Sequence, residues 1–181
     1  MSSTLGPHNC LTQEQEDYLI GLVRQWFEVM NEVAPRKLVE AGFNYPIKPP
    51  DIWETLPDEW EALMEQGGIY TLSDTHLEDY LEKWLRLLGY AYWVQGLWQD
   101  RCNALTRCLD FVKDYIFTYA SGGREQKSAV AGSHWLTAEI LGKLNEAERK
   151  LTELNGLIKK WEETKFAISR TITNRQDKPS R

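Results

Sequence analysis

The sequence predicts an all-α protein built around two long antiparallel heptad helices, a helical hairpin of the coiled-coil type. Between Leu77 and Tyr119, seam residues recur at steps that alternate strictly between four and three. A second run with the same spacing lies between Ile140 and Ile172. This is the a/d pattern of a helix that lies along another helix. No proline interrupts either run, and the pair Gly122-Gly123 lies between them.

An amphipathic helix is predicted near the N-terminus, after residues 1–11, which are expected to be disordered. Thr12 and Gln15 have the spacing of a capping box, in which each side chain bonds the backbone amide of the other. An apolar stripe follows at Leu19, Leu22, Val23, Trp26, Met30 and Val33. We expect this helix to end before Pro35, because proline lacks the amide proton that a helix interior needs.

A proline-rich stretch comes next, with five prolines between residues 34 and 73. Prolines this dense exclude a long helix, so short helices are predicted at 36–41, 51–55 and 57–66, the last with Pro57 in its first turn. Trp53 and Trp60 are expected to fasten this stretch against the long helices. Residues 12–73 are thus interpreted as an acidic N-terminal helical segment of a single 181-residue domain.

The first long helix is predicted to open at a second capping box, Thr75 to Glu78, and to end at the turn Ser121-Gly122-Gly123. Only Gln95 is polar among its seam residues. They are Leu77, Leu81, Trp84, Leu88, Ala91, Gln95, Trp98, Cys102, Leu105, Leu109, Val112, Ile116 and Tyr119. Gly89 and Gly96 each cost about 1 kcal/mol in a helix, which indicates close backbone approach or a bend. Since the helix is apolar nearly all round here, we expect burial on more than one side.

After a predicted turn at 124–127, the second long helix carries the seam Ile140, Leu144, Ala147, Leu151, Leu154, Ile158, Trp161, Lys165, Ile168 and Ile172. A short glycine loop between two such helices favours an antiparallel hairpin over 74–173. The alternative is that each seam pairs with a second subunit. Residues 174–181 are expected to be disordered.

Charge is distributed unevenly along the chain. Residues 1–100 hold 17 acidic and 6 basic residues, whereas residues 101–181 hold 10 acidic and 15 basic residues. This asymmetry indicates either an interaction face or mutual neutralisation on folding. Eight tryptophans and eight tyrosines are too many for a disordered chain. No apolar run approaches 18 residues and no signal pattern opens the chain, so a soluble, cytoplasmic protein without membrane contact is expected.

Sequence motifs for catalysis, phosphate loops or metal binding are missing. His8, His76 and His134 are scattered, and His8 with Cys10 does not amount to a metal site. Three cysteines do not indicate a disulfide framework. We therefore expect a protein that is not an enzyme and that carries no cofactor and no metal.

The basic residues of the second half are the candidates for DNA binding, because long basic faces track phosphate backbones. The set is Arg101, Arg107, Lys113, Arg124, Lys127, Lys159 and Lys160. The alternative is an ordinary solvated flank, paired with the glutamates Glu146, Glu148, Glu153, Glu162 and Glu163.

Residues 77–175 resemble the phage recombination mediators of the UvsY type, which help to load a RecA-like recombinase on single-stranded DNA. The similarity lies in the runs Lys83-Trp84-Leu85 and Arg107-Cys108-Leu109-Asp110-Phe111, followed by Ser121-Gly122-Gly123-Arg124 and a second long helix. The family's DNA-contacting basic residues cluster before the Leu-Asp pair, where Arg107 stands here.

This resemblance implies a homo-oligomer that binds single-stranded DNA without base specificity. It also implies two protein partners, a RecA-like recombinase and a single-strand-binding protein, in the host cytoplasm of a phage. A second hypothesis is a phage structural or partner-binding helical protein, such as an assembly or host-inhibitor factor, that does not bind DNA. The aromatic-rich acidic front of the chain motivates this second hypothesis.

Overall fold

The computed structural model describes residues 10–42 and 49–177, and in those ranges the chain is helical without strands. The predicted all-α class is thereby confirmed. The helices are α1 (Gln13–Glu28), α2 (Ala34–Glu40), α3 (Ile52–Glu65), α4 (Asp74–Tyr119), α5 (Arg124–Ser133) and α6 (Trp135–Gln176). A π-helical turn (Val29–Val33) joins α1 to α2, and a 3-10 turn (Ile69–Thr71) precedes α4.

The predicted disordered ends lie mostly outside the described residues. Where the structure describes them, they are ordered: Leu11 is buried, and α6 continues to Gln176. The prediction of disorder is therefore wrong for Leu11 and for residues 174–176.

Two compact units make up the chain. The first unit comprises residues 1–45 and 98–150, and the second comprises residues 46–97 and 151–181. Each unit therefore contains one part of α4 and one part of α6.

The heptad seams supply much of the core of both units. In the first unit the buried seam residues are Cys102, Leu105, Leu109, Val112, Ile116, Ile140, Leu144 and Ala147. In the second unit they are Leu77, Trp84, Leu88, Ala91, Leu154, Ile158, Trp161 and Ile168. Tyr119, predicted as a seam residue, is exposed instead.

Within the second unit, α4 and α6 run antiparallel. Arg175 donates to the Asp74 carboxylate at 2.8 Å, and the Gln95 side chain donates to Asn155 at 2.7 Å. The start of α4 therefore lies beside the end of α6 in this unit. The knobs-into-holes packing of a coiled coil stays a prediction.

The predicted end of the first helix is wrong, because the helical backbone continues through Pro35 to Glu40. The capping box of Thr12 and Gln15 is confirmed at the other end of this helix. Before the proline the backbone widens into the π turn, where the Ala34 amide bonds the Val29 carbonyl. This wider turn accommodates a residue that has no N–H and whose ring crowds the preceding turn.

Pro57 likewise lies inside α3, so the two short helices predicted around it are one. The proline removes a backbone bond to the Trp53 carbonyl, but packing of this helix offsets the loss. Leu56 and Trp60 are buried, and the Trp53 ring meets Tyr90 and Trp161 edge to face at 5.0 and 5.2 Å. The prediction that Trp53 and Trp60 pack this stretch against the long helices is confirmed.

The ends of α4 differ from the predicted ones in detail. Ser73 caps the helix, not Thr75: its hydroxyl accepts the His76 amide at 3.3 Å and contacts the His76 ring at 2.9 Å. Gly122, with a φ of 108°, follows the C-terminus of α4. The predicted turn at 124–127 is the first turn of α5, where Gln126 accepts the Gly123 amide at 3.2 Å.

The middle of α4 was expected to be buried on more than one side, and the described part of the chain by itself buries only Ala91 of this stretch. No residue between Ala91 and Cys102 is buried. Gly89 and Gly96 are exposed, and a Cβ atom built on either would meet nothing within 4 Å. Nothing among the described residues therefore requires glycine at these two positions.

We expect the double variant Gly89→Ala/Gly96→Ala to gain about 1 kcal/mol of unfolding free energy per site, because alanine loses less backbone entropy in a helix. Urea unfolding followed by far-UV circular dichroism measures the gain. Gly142→Ala, at an equally open position of α6, gives the reference gain in unfolding free energy for one such substitution. A loss of stability confined to the double variant would instead mean that a second copy of the chain packs against this face.

Candidate functional site

A groove of about 600 Å³ lies in the first unit, between α1 and α6, with one residue of α4 at its wall. Three cationic side chains line it, one from each helix: Arg24, Arg101 and Lys143. Among the described residues that line it, Glu139 is the one carboxylate, and Phe27 and Trp135 are the aromatic residues. The groove therefore carries a net positive charge beside exposed ring surface.

Local contacts hold two of these cations in place. Lys143 bonds Glu139 one turn earlier on α6 at 2.7 Å, and its Nζ lies 4.3 Å from the centre of the Phe27 ring. The Arg101 guanidinium lies 5.6 Å from the centre of the Trp98 ring, so its apolar stem is packed while its charge stays accessible. Pairing with Glu139 leaves Arg24 and Arg101 as the stronger anion-binding groups.

The N-terminus of α6 forms one end of the groove and is capped by His134. This residue is buried, and its Nδ1 accepts the Leu136 amide at 3.2 Å, which requires an unprotonated Nδ1. The next residue, Trp135, donates its ring N–H to Glu16 of α1 at 2.7 Å. The cap and this bond together position Trp135 at the groove, where its side chain is 49% exposed.

Burial lowers the pKa of His134 below its ordinary value of 6.5, and the nearby Glu16 charge opposes this only in part. The unfolded chain therefore binds a proton at this site more readily than the folded protein does. We expect the unfolding free energy to fall as the pH drops below about 6.5, until the pH passes the folded-state pKa. His134→Asn, which can cap a helix without titrating, should flatten this dependence.

Urea unfolding at a series of pH values between 5 and 8 tests the His134 expectation. His76→Gln, which replaces an exposed histidine, is the matched control. A stability curve that keeps its slope in His134→Asn would contradict the expectation.

The structure brings only one of the seven predicted DNA-binding residues into the groove, namely Arg101. Six-residue steps separate Arg101, Arg107 and Lys113, and each step turns an α-helix by about 240°, so the three residues point to three sides of α4. Arg124 is exposed in α5, and Lys127 lies 5.6 Å from the Phe117 ring centre.

The remaining two predicted residues, Lys159 and Lys160, belong to the second unit. Lys159 is exposed, and Lys160 pairs with Glu61 at 2.5 Å. Glu61 comes from the acidic front of the sequence, as does Asp74, which pairs with Arg175. Two ion pairs thus join the acidic and basic halves of the sequence in this unit, which favours neutralisation on folding, one of the two interpretations of the charge pattern.

Arg24 and Lys143 were missed by reasoning from the sequence. Arg24 lies in the acidic half of the chain, away from any cluster of basic residues. Lys143 has the spacing of an ordinary i, i+4 salt bridge with Glu139. No local pattern connects either residue with Arg101. Only the packing of α1 and α6 in this unit brings them together.

A second feature of the first unit is an exposed aromatic surface, made of Tyr18, Phe111, Tyr115 and Tyr119. Successive rings are in contact: Phe111 and Tyr115 lie 6.3 Å apart between ring centres, and Tyr115 and Tyr119 lie 4.9 Å apart. Tyr18 of α1 lies 6.2 Å from Tyr115. The aromatic surface is thus built from two helices.

Comparison with protein-family models, curated proteins and solved structures found no match to this chain. Among the described residues, no group of three or more His, Cys, Asp or Glu side chains is placed to hold a metal ion. In the same part of the chain, no helix combines the length and the apolar composition that a membrane crossing requires.

Proposed function

We propose that the protein is a non-catalytic mediator of recombination that binds single-stranded DNA. The observation that carries this proposal is the groove of the first unit, where Arg24, Arg101 and Lys143 converge beside Phe27 and Trp135. Cationic groups next to accessible rings are the combination that binds unpaired nucleotides, because phosphates neutralise the cations while bases stack on the rings.

The groove suits a single strand better than a duplex. Base stacking on Trp135 needs a base that is free of its partner, and the ring is accessible for it. Among the described residues that line the groove, Asn31 is the one amide side chain, so no set of amides is placed to read base edges. Binding without base specificity is therefore the expected mode.

The mediator role rests on the resemblance of residues 77–175 to the UvsY-type proteins. In this proposal copies of the chain assemble on a strand, hold it extended, and help a RecA-like recombinase to displace a single-strand-binding protein in the cytoplasm. Neither step needs a reaction at the protein, in keeping with a role in binding.

Fluorescence anisotropy of labelled oligo-dT, measured between 50 and 200 mM salt, tests DNA binding. Three phosphate contacts predict that the logarithm of the binding constant falls with the logarithm of salt with a slope of about −2. Duplex DNA of equal length should bind more weakly. Absence of salt-sensitive binding at micromolar protein would contradict the proposal.

Sedimentation with and without the oligonucleotide tests the mediator role separately. We expect the sedimentation coefficient to rise when single-stranded DNA is added, because several copies load on one strand. A monomer whose sedimentation is indifferent to DNA would exclude this role.

A second candidate function is partner binding by a helical protein that does not bind DNA, such as a phage assembly or host-inhibitor factor. The exposed aromatic surface of the first unit favours it, because contacting exposed aromatic rings are typical of protein interfaces. Binding of oligo-dT distinguishes the two candidate functions.

A further inference from the structure

We propose that the aromatic surface docks a basic segment of a partner protein, whose arginine or lysine side chains lie over its tyrosine rings. This inference is independent of DNA binding in the groove. It rests on the exposure of the rings, their fixed geometry and the charges around them.

Three of the four rings of the aromatic surface are exposed to solvent, and Tyr115 between them is half-buried. Tyr18 is 59% exposed, Tyr119 is 45% exposed and Phe111 is 38% exposed. Contiguous exposed apolar groups of this kind mark interaction sites on soluble proteins, whereas single exposed apolar residues do not. A partner that covers these rings would remove considerable apolar area from water.

The arrangement of the rings is set before any partner arrives. Phe111, Tyr115 and Tyr119 follow one another at four-residue steps along α4, each step advancing about 6 Å. The Tyr115 ring contacts Phe111 and Tyr119 on α4 and also Tyr18 of α1. A contact from a second helix therefore helps to fix the position of this row. Aromatic side chains with two rotatable bonds lose little entropy when a partner binds them.

Charge around the aromatic surface selects the partner. Asp110 and Asp114 directly precede two of its rings on α4, and Glu14 lies one turn before Tyr18 on α1. All three carboxylates are exposed. Two bases of α4 lie near the rings in sequence: Arg107, one turn before Phe111, and Lys113, which is two residues after Phe111 and so points about 200° away from it around the helix.

Two independent forces therefore favour a cationic partner. The carboxylates attract positive charge directly, and the negative faces of tyrosine rings attract guanidinium and ammonium groups. The same carboxylates repel phosphates, which distinguishes this surface from the groove. A basic, partly apolar protein segment can pack against the rings and pair with the carboxylates at the same time.

Fluorescence anisotropy with a labelled 16-residue helical peptide, leucine on one face and arginine on the other, tests the proposal on the full chain. We expect binding that weakens at least tenfold in Tyr18→Ser/Tyr119→Ser and in Asp110→Asn/Asp114→Asn. Substituting glutamate for every arginine in the peptide should abolish binding. The substituted tyrosines are the most exposed members of the surface, so folding should be preserved, and circular dichroism checks this.

Two matched variants control for general effects of ring loss and of charge. Tyr70→Ser removes a tyrosine that is 81% exposed in the second unit, and Asp58→Asn/Glu59→Gln removes two exposed carboxylates there. Both should bind the peptide like the unmodified chain. The proposal is overturned if the peptide does not bind, if the controls lose as much affinity as the test variants, or if Tyr18→Ser/Tyr119→Ser loses oligo-dT binding instead.

Discussion

The double variant Arg24→Gln/Arg101→Gln should bind single-stranded oligo-dT about 25-fold more weakly than the unmodified chain at 0.1 M salt. Each lost phosphate contact removes about 0.7 from the magnitude of the salt slope, and two contacts at this salt correspond to that factor. The slope itself should become shallower by about 1.4. Glutamine keeps the polar character and much of the stem of arginine, so the change tests charge.

The residues chosen are the two groove cations that the structure does not tie to a carboxylate in the groove, since Lys143 is held by Glu139. Arg36→Gln/Lys37→Gln is the matched control, because it removes two exposed bases of α2 in the same unit. Anisotropy titrations at four salt concentrations give both the affinity and the slope.

Lys159→Gln/Lys160→Gln compares the groove with the basic stretch that the sequence predicted. If the groove carries the binding, this variant should keep most of its affinity, because Lys160 is already paired with Glu61. Equal losses in all three double variants would mean that binding depends on total charge and not on the groove. A loss of affinity in Lys159→Gln/Lys160→Gln alone would place the DNA-binding site at these two lysines and not in the groove.

The variant Trp84→Ala should lose about 3–5 kcal/mol of unfolding free energy, the largest effect expected for a single substitution in this chain. The Trp84 side chain is 1% exposed and lies in the middle of the aromatic cluster of the second unit. Its ring centre lies 6.2 Å from Trp60 of α3 and 6.2 Å from Trp161 of α6. Removing it leaves a cavity that joins three helices, and none of them can close it alone.

Trp84→Phe separates the ring from its polar group. Among the described residues the buried ring N–H of Trp84 has no hydrogen-bond partner, so phenylalanine removes an unsatisfied donor while it keeps aromatic packing. This variant should lose far less stability than Trp84→Ala. Trp26→Ala, at an exposed position of α1, should change stability by less than about 1 kcal/mol.

Urea unfolding followed by far-UV circular dichroism measures these differences without depending on tryptophan fluorescence, which the substitutions change. A loss under about 1 kcal/mol in Trp84→Ala would show that the cluster does not support the second unit. A loss in Trp84→Phe as large as in Trp84→Ala would contradict the expectation that a smaller aromatic ring preserves most of the packing.

The heptad spacing predicted most of the buried residues of α4 and α6, because burial along a helix repeats with nearly the same period as the side chains. Leu105, Val112 and Ile140 are therefore core residues that the sequence identified without any knowledge of their partners. The Thr12 capping box was predicted correctly for a similar reason, since all of its bonds lie within one turn.

Proline positions show where local rules were insufficient. The first helix was expected to end before Pro35, and Pro57 was expected in the first turn of a separate helix, yet both prolines lie within helical stretches. Proline inside a helix costs about 3 kcal/mol or more locally, and at Pro57 the burial of Leu56 and Trp60 in contacts distant in sequence offsets this cost. The sequence shows the cost but not the packing that compensates for it.

The groove and the aromatic surface were decided by tertiary structure alone. Arg24, Arg101 and Lys143 are separated by tens of residues and come from three helices, so no spacing in the sequence connects them. Tyr18 likewise joins the row on α4 only because α1 packs there. Periodicity encodes which face of a helix is buried, whereas a site depends on which exposed faces converge, and that is set by packing between helices.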